Sequence, residues 1–178
     1  VLEPAGPADY GDAVREALAF YGPVYLRLYR ESTRVSNFSD LPALAIGKIR
    51  QLSRGKDAVI FATGLMIEIA LQASRELRKD SINAAVIDCA SIKPLDVDGI
   101  LSVISQSKTV ITAENHSIIG GLGSAIAEVI ASNNINRPFF RVGVQECFAE
   151  GGSRNFLFKK YGLTADDIIA KVKEGLAK

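Results

Sequence analysis

The chain has 178 residues, 48% of them hydrophobic and 23% charged, with a formal net charge of +1. That is enough for one globular domain, or for one domain plus a fragment of another. It offers neither the net field nor the runs of like charge that draw a protein to nucleic acid or an anionic membrane, and no apolar run reaches the roughly 18 residues of a membrane span.

Pro7–Tyr21 is expected to be a helix. Ala13, Ala17, Leu18 and Tyr21 fall on one face, Pro7 suits a first turn, and Asp9 and Asp12 sit at the positive end. Gly22-Pro23 stops it, and Val24–Tyr29 (VYLRLY) reads as a strand. It ends at Arg30-Glu31. A charged residue just beyond a strand's C-terminal end lies where α/β proteins place ligands, so Arg30 is a candidate anion binder. The plainer alternative is an ion pair with Glu31 or another carboxylate. Ser32–Leu41 is polar and aperiodic, as a linker would be. One helix and one strand cannot enclose a core.

From Leu44 onward the pattern is regular. Strands are expected at Lys48–Leu52, Ala58–Ala62, Ile82–Asp88, Thr109–Ala113 and Phe139–Val144. Between and after them come helices at Met66–Lys79, Val97–Ser105, Ser124–Ala131, Ser153–Tyr161 and Ala165–Lys173. Asp96 and Thr164 are in place to cap two of these helices. Near-continuous apolar strands alternating with helices predict an α/β fold: a three-layer α/β/α arrangement around a mostly parallel sheet.

Candidate chemistry gathers in Val110–Ala131. An apolar strand is expected to lead into a polar loop carrying His116, the single histidine, and then into Gly120, Gly121 and Gly123 at the start of a helix. The glycines fail the dinucleotide fingerprint, because Ile126 stands where a terminal Gly or Ala is needed. They suit a sharp turn or close helix–sheet packing equally well. His116 is either a base or hydrogen-bonding group, with Glu114 near enough in sequence to orient it, or a structural or exposed side chain. Glu146, Glu150 and Arg154 around Gly151-Gly152 fit either a loop over a site or a solvated loop. Cys89 and Cys147 lack disulfide or zinc spacing and read as buried, reduced thiols of a cytoplasmic protein. No nucleophilic triad, paired carboxylates, metal-ligand spacing or phosphate loop is evident. The sequence opens on Val1, not Met, as a processed, proteolysed or recombinant piece of something longer would.

Five motifs occur in order: GPVYLRLYR (Gly22–Arg30), ATG (Ala62–Gly64), SIKPLD (Ser91–Asp96), AENHSIIGGLGSAIAE (Ala113–Glu128) and KKYGLTADDI (Lys159–Ile168). Together they resemble the C-terminal part of transketolase-like thiamine diphosphate enzymes over nearly the whole chain. The resemblance implies that residues 1–36 are the end of a pyrimidine-binding domain plus a linker, and that 37–178 are the family's C-terminal domain. It implies a complete enzyme that moves a two-carbon ketol unit between sugar phosphates, with thiamine diphosphate held by a divalent metal (Mg or Ca). Neither the family's metal- and diphosphate-binding stretch nor its cofactor-activating glutamate is in this sequence. The resemblance therefore implies no cofactor bound by this chain alone, no activity alone, an N-terminal domain or subunit as partner, and a homodimer. Arg30 is the one residue it marks for substrate phosphate. His116, Gly120, Gly121 and Gly123 become an interface or site-edge loop. Deoxyxylulose-phosphate synthase, the β subunit of a 2-oxoacid dehydrogenase and a non-catalytic dimerisation or docking module are the alternatives. His116 after Glu114-Asn115 is more like the transketolases.

Overall fold

The computed structural model describes residues 1–29 and 43–178. Arg30, the expected linker and the expected domain boundary lie outside them. The first described helix, α1 (Pro7–Ala19), begins with Pro7 in its first turn as expected. The body follows as β1 (Arg50–Ser53), β2 (Ala58–Ala62), α2 (Met66–Lys79), β3 (Ala84–Asp88), α3 (Val97–Ser105), β4 (Thr109–Ser117), α4 (Leu122–Ser132), β5 (Phe139–Val144), α5 (Arg154–Lys160) and α6 (Ala165–Leu176).

The strands form one sheet in the order β1-β3-β2-β4-β5. β3, β2, β4 and β5 run parallel, and β1 is an antiparallel edge on β3. Alternate side chains serve two cores. Ile60, Val86 and Ile111 face α2 and α6, where Ile67, Leu77, Ile168 and Val172 meet them. Phe61, Ile87 and Val110 face the opposite layer, against Ile100 and Ile104 of α3 and Leu122 and Ile126 of α4. Every residue of β2 and β3 is buried, because helices cover both faces of a parallel sheet. The three-layer architecture is as the sequence predicts. Two expected caps are also present. Asp96 accepts from the Gly99 amide at 3.2 Å, and Thr164 with Asp167 forms a reciprocal capping box on α6. Among the described residues, no helix is long and apolar enough to cross a membrane.

Three expectations need correction. The stretch from Glu114 to Ser117 is strand rather than loop. After a break in register beyond Ala113, Ser117 pairs with Val144 and the Ile118 amide donates to the Val144 carbonyl at 2.9 Å. Val24–Tyr29 is not an assigned strand. It makes one isolated parallel bridge, Leu26 to Leu2, because its one ladder neighbour among the described residues is a three-residue segment. Of the two cysteines, Cys89 is buried but Cys147 is exposed.

Candidate functional site

In a sheet of this order the chain leaves β2 for β3 on one side and later crosses to β4 on the other. Ligands of α/β folds settle at that reversal, outside the C-terminal ends of the strands. Here the ends of β2 and β4 bring Thr63, Glu114, Asn115 and His116 to the crevice, and the chain's first residues and residues 25–29 reach into it.

Glu114 is the pivot of one side. Its carboxylate is 1% exposed and accepts from the Leu122 amide at 2.8 Å and the Gly123 amide at 2.7 Å. It therefore caps α4 from the end of the preceding strand, where the helix has no side-chain cap of its own. Burial pushes its carboxyl above the ordinary range, while the two amides, His116 and Arg141 pull it back. The glycines follow from this contact. A Cβ on Gly121 would lie 2.0 Å from Glu114 Oε2, and one on Gly123 would lie 2.8 Å from Oε1. Gly120 instead answers to backbone conformation, with φ +76° and open space around it. The helix N-terminus already holds an anion of its own chain, which removes the physical basis for a nucleotide at these glycines.

His116 projects from the same strand and is half-exposed. Its Nδ1 lies 2.8 Å from the Ser117 carbonyl oxygen, so that nitrogen is the donor. Glu114 Oε2 is 4.0 Å away, too far to orient the ring by hydrogen bonding.

The other side of the crevice is a joint that sequence reasoning missed. Arg27 donates through Nη1 to Glu3 Oε1 at 2.8 Å, and through Nη2 to the Asn115 side-chain oxygen at 2.7 Å and its carbonyl at 3.1 Å. Thr63 Oγ1 donates to the Glu3 carbonyl at 3.2 Å and its carboxylate at 3.3 Å. Burial raises the Glu3 carboxyl, against the opposing pull of Arg27 and Thr63. A charged residue in the middle of the apolar run VYLRLY was the one signal in the sequence.

A second joint fastens α1 to the sheet edge. Arg50 donates to Asp9 at 2.8 and 2.6 Å, and its Nε donates to Asp88 at 3.0 Å. All three side chains are at most 4% exposed. Among the described residues Asp88 Oδ1 has no hydrogen-bond partner. Burial raises the Asp88 carboxyl to about 6 despite Arg50.

Between α4 and the N-terminal segment lies a cleft of about 1070 Å³. His116, Gly120 and Gly121 line it together with Glu3, Arg27 and Lys93. Gly123 lies behind this surface, and the Gly151-Gly152 loop contributes nothing to it. That loop is tied to α5 instead, by an exposed Glu150–Lys160 pair. Among the described residues, no group of three His, Cys, Asp or Glu is placed to hold a metal. Glu3, Glu114, Asp9 and Asp88 are all bound to donors of this chain. These residues do not fit a metal–diphosphate site.

A family model described as the transketolase C-terminal domain matches residues 47–168. The chain belongs to the transketolase C-terminal domain family. Its relatives include a 6-deoxy-6-sulfo-D-fructose transketolase subunit of Clostridium sp., 41% identical over 98% of this chain and 53% of that protein. A 1-deoxy-D-xylulose-5-phosphate synthase of Caldanaerobacter subterraneus is 35% identical over 98% of this chain and 29% of that protein. A solved structure titled as a split-gene transketolase, an inactive beta4 tetramer, aligns with a TM-score of 0.92 at 39% identity. That alignment covers 99% of this chain and 57% of the other. The chain thus spans about half the length of its transketolase-subunit relative. The likeness to the split-gene structure extends beyond the matched residues 47–168 to the N-terminal segment.

Proposed function

We propose that this chain is the C-terminal part of a transketolase-type enzyme that moves a two-carbon ketol unit between sugar phosphates, inactive until joined to the polypeptide that completes it. The match to a split-gene transketolase over 99% of the chain carries this reading. On this reading residues 1–36 close a pyrimidine-binding domain and 37–178 form the C-terminal domain, with the complete enzyme a cytoplasmic homodimer. Thiamine diphosphate, which supplies the carbanion chemistry when bound, is assigned with its divalent metal to the partner. This chain contributes scaffold. Its joints, the part-buried Glu3–Arg27–Asn115 and the buried Asp9–Arg50–Asp88, fix the N-terminal segment against the sheet. Arg30, one residue beyond that segment, is assigned to substrate phosphate, which a planar guanidinium grips at two points. His116, Gly120 and Gly121 are assigned to the interface side of the cleft.

The test is reconstitution with the matching N-terminal partner together with the part of the Clostridium subunit that this chain does not match, because that relative is itself a subunit and the split-gene structure is titled inactive. Ketol transfer between sugar phosphates is expected from the mixture and from no component alone. A mixture that forms a complex yet transfers nothing overturns the reading. The synthase alternative is favoured by the 35% identical relative and is separated in the same assay by scoring 1-deoxyxylulose 5-phosphate as product.

A further inference from the structure

Three separate elements converge on Tyr29, the last described residue before Arg30. From α1, the Tyr10 hydroxyl donates to the Tyr29 carbonyl and accepts from the Tyr29 amide, both at 3.3 Å. One side-chain oxygen thus holds both backbone groups of that residue. From β4, Asn115 acts through Arg27. Arg27 Nη2 donates to the Asn115 side-chain oxygen at 2.7 Å, and the same guanidinium lies over the Tyr29 ring, 5.5 Å from its centroid. From the end of β2, Gly64 makes room for the tip of the ring. Its φ is +54°, and a Cβ there would lie 2.2 Å from Tyr29 Oη.

Core packing does not account for this convergence. Among the described residues, neither Tyr10 nor Tyr29 packs into one of the hydrophobic cores. Tyr29 Oη has no hydrogen-bond partner among them either, so the ring is placed by fit and by the groups on its backbone and face. The contacts fix one point of the chain, immediately before Arg30. A guanidinium grips a phosphate at two points only if its stem starts from a fixed place, and a displacement of about 1 Å in such a group costs up to about a hundredfold.

We propose that Tyr10 and Asn115 are positioning residues for the phosphate grip assigned to Arg30. They act not on the substrate but through Tyr29, the residue that carries Arg30. Asn115 belongs to the sheet body, so this body sets how firmly a phosphate is held by the segment docked on it. The proposal rests on the assignment of Arg30 made above and adds the residues that tune its affinity.

Steady-state kinetics of the reconstituted enzyme test it, with matched phosphorylated and unphosphorylated sugars and Arg30→Ala as the reference. Tyr10→Phe removes both hydrogen bonds to Tyr29 and keeps the ring. Asn115→Ala removes the side-chain acceptor of Arg27. Each is expected to raise KM for the phosphorylated sugar about three- to tenfold relative to the unphosphorylated one. Asn115→Asp keeps an acceptor and is expected to restore the ratio to within about twofold of the parent. In the Arg30→Ala background, Tyr10→Phe and Asn115→Ala are expected to add less than about twofold, because the group they position is gone. In the free chain, the Tyr29 amide is expected to exchange about threefold faster or more in Tyr10→Phe. Parent-like KM ratios in both single variants, full effects that persist without Arg30, or a Tyr29 amide that keeps its parent rate each overturn the positioning role alone, provided that Arg30→Ala itself separates the two sugars. An Arg30→Ala enzyme that treats both sugars alike, or a mixture that transfers nothing, overturns the assignment beneath it, and the positioning role falls with it.

Discussion

Gly121→Ala tests the carboxylate cradle at the start of α4. The new Cβ would lie 2.0 Å from Glu114 Oε2 and 2.9 Å from His116 Nδ1. The backbone there is extended, with φ −104°, and open to any residue, so the objection is purely steric. Glu114 is 1% exposed and held at both oxygens. Moving it breaks its bonds to the Leu122 and Gly123 amides. A hydrogen bond to an ionised group contributes about 1.5–3 kcal/mol. Losing both, with the charge still buried, costs about 3–5 kcal/mol. For a chain of this size that lowers the melting temperature by about 6–20 °C. Thermal and urea unfolding of Gly121→Ala, Glu114→Ala and the double variant measure it. In the double variant the Cβ enters space that the carboxylate has left, so its loss should be close to that of either single change, a coupling of about 2 kcal/mol or more. Additive losses, or a Gly121→Ala chain within about 0.5 kcal/mol of the parent, would refute the reasoning.

The raised carboxyl of Asp88, at about 6, means the folded chain holds that proton more tightly than the unfolded one. Its stabilising contribution is full below about 3.9 and is lost as pH rises through 6, and Glu3 and Glu114 act in the same sense. Urea midpoints should therefore be higher at about pH 5 than at about pH 7.5. Asp88→Asn should narrow the gap, and an unchanged gap removes Asp88 from the explanation. Arg27→Ala strands the buried Glu3 carboxylate and should cost about 1.5–3 kcal/mol, most of it regained when Glu3→Gln is added. Failure of the second change to rescue melting would mean that Arg27 matters for something other than that charge. In the reconstituted enzyme, Arg30→Ala should raise KM for phosphorylated sugars far more than for unphosphorylated ones, by about tenfold or more. Equal effects on both would show that Arg30 does not read phosphate.

The bounds of α2 and α3 were legible to the residue, because amphipathic period and caps are local signals. So were β2 and β5, and β3 to within two residues. The length of β4 was not. Glu114–Ser117 looks like loop in sequence because it is polar, yet the Glu114 carboxylate is taken up by the amides of α4 and the backbone at Ser117 pairs with Val144. The same holds for Arg27, Glu3, Asp9, Arg50 and Asp88. Their spacing carries no period, and their meaning appears only when the fold brings them together. Val24–Tyr29 fails for the converse reason. Its propensity is plain, but a strand exists only in company. The glycine cluster was legible as a place where backbone comes close, and the group it approaches proved to be a carboxylate of the same chain.

The Glu3–Arg27 joint has a consequence for how such a protein can change over time. At the strand reversal, where other α/β domains keep a small molecule, Glu3 and Arg27 stand as joinery. Sequence drift there would alter the angle and firmness with which two bodies are hinged, not the choice of a metabolite. The body could be borrowed by enzymes of differing chemistry, much as a bracket is reused on different machines, so long as each newcomer brought an acid and a guanidinium to fill the same mortise.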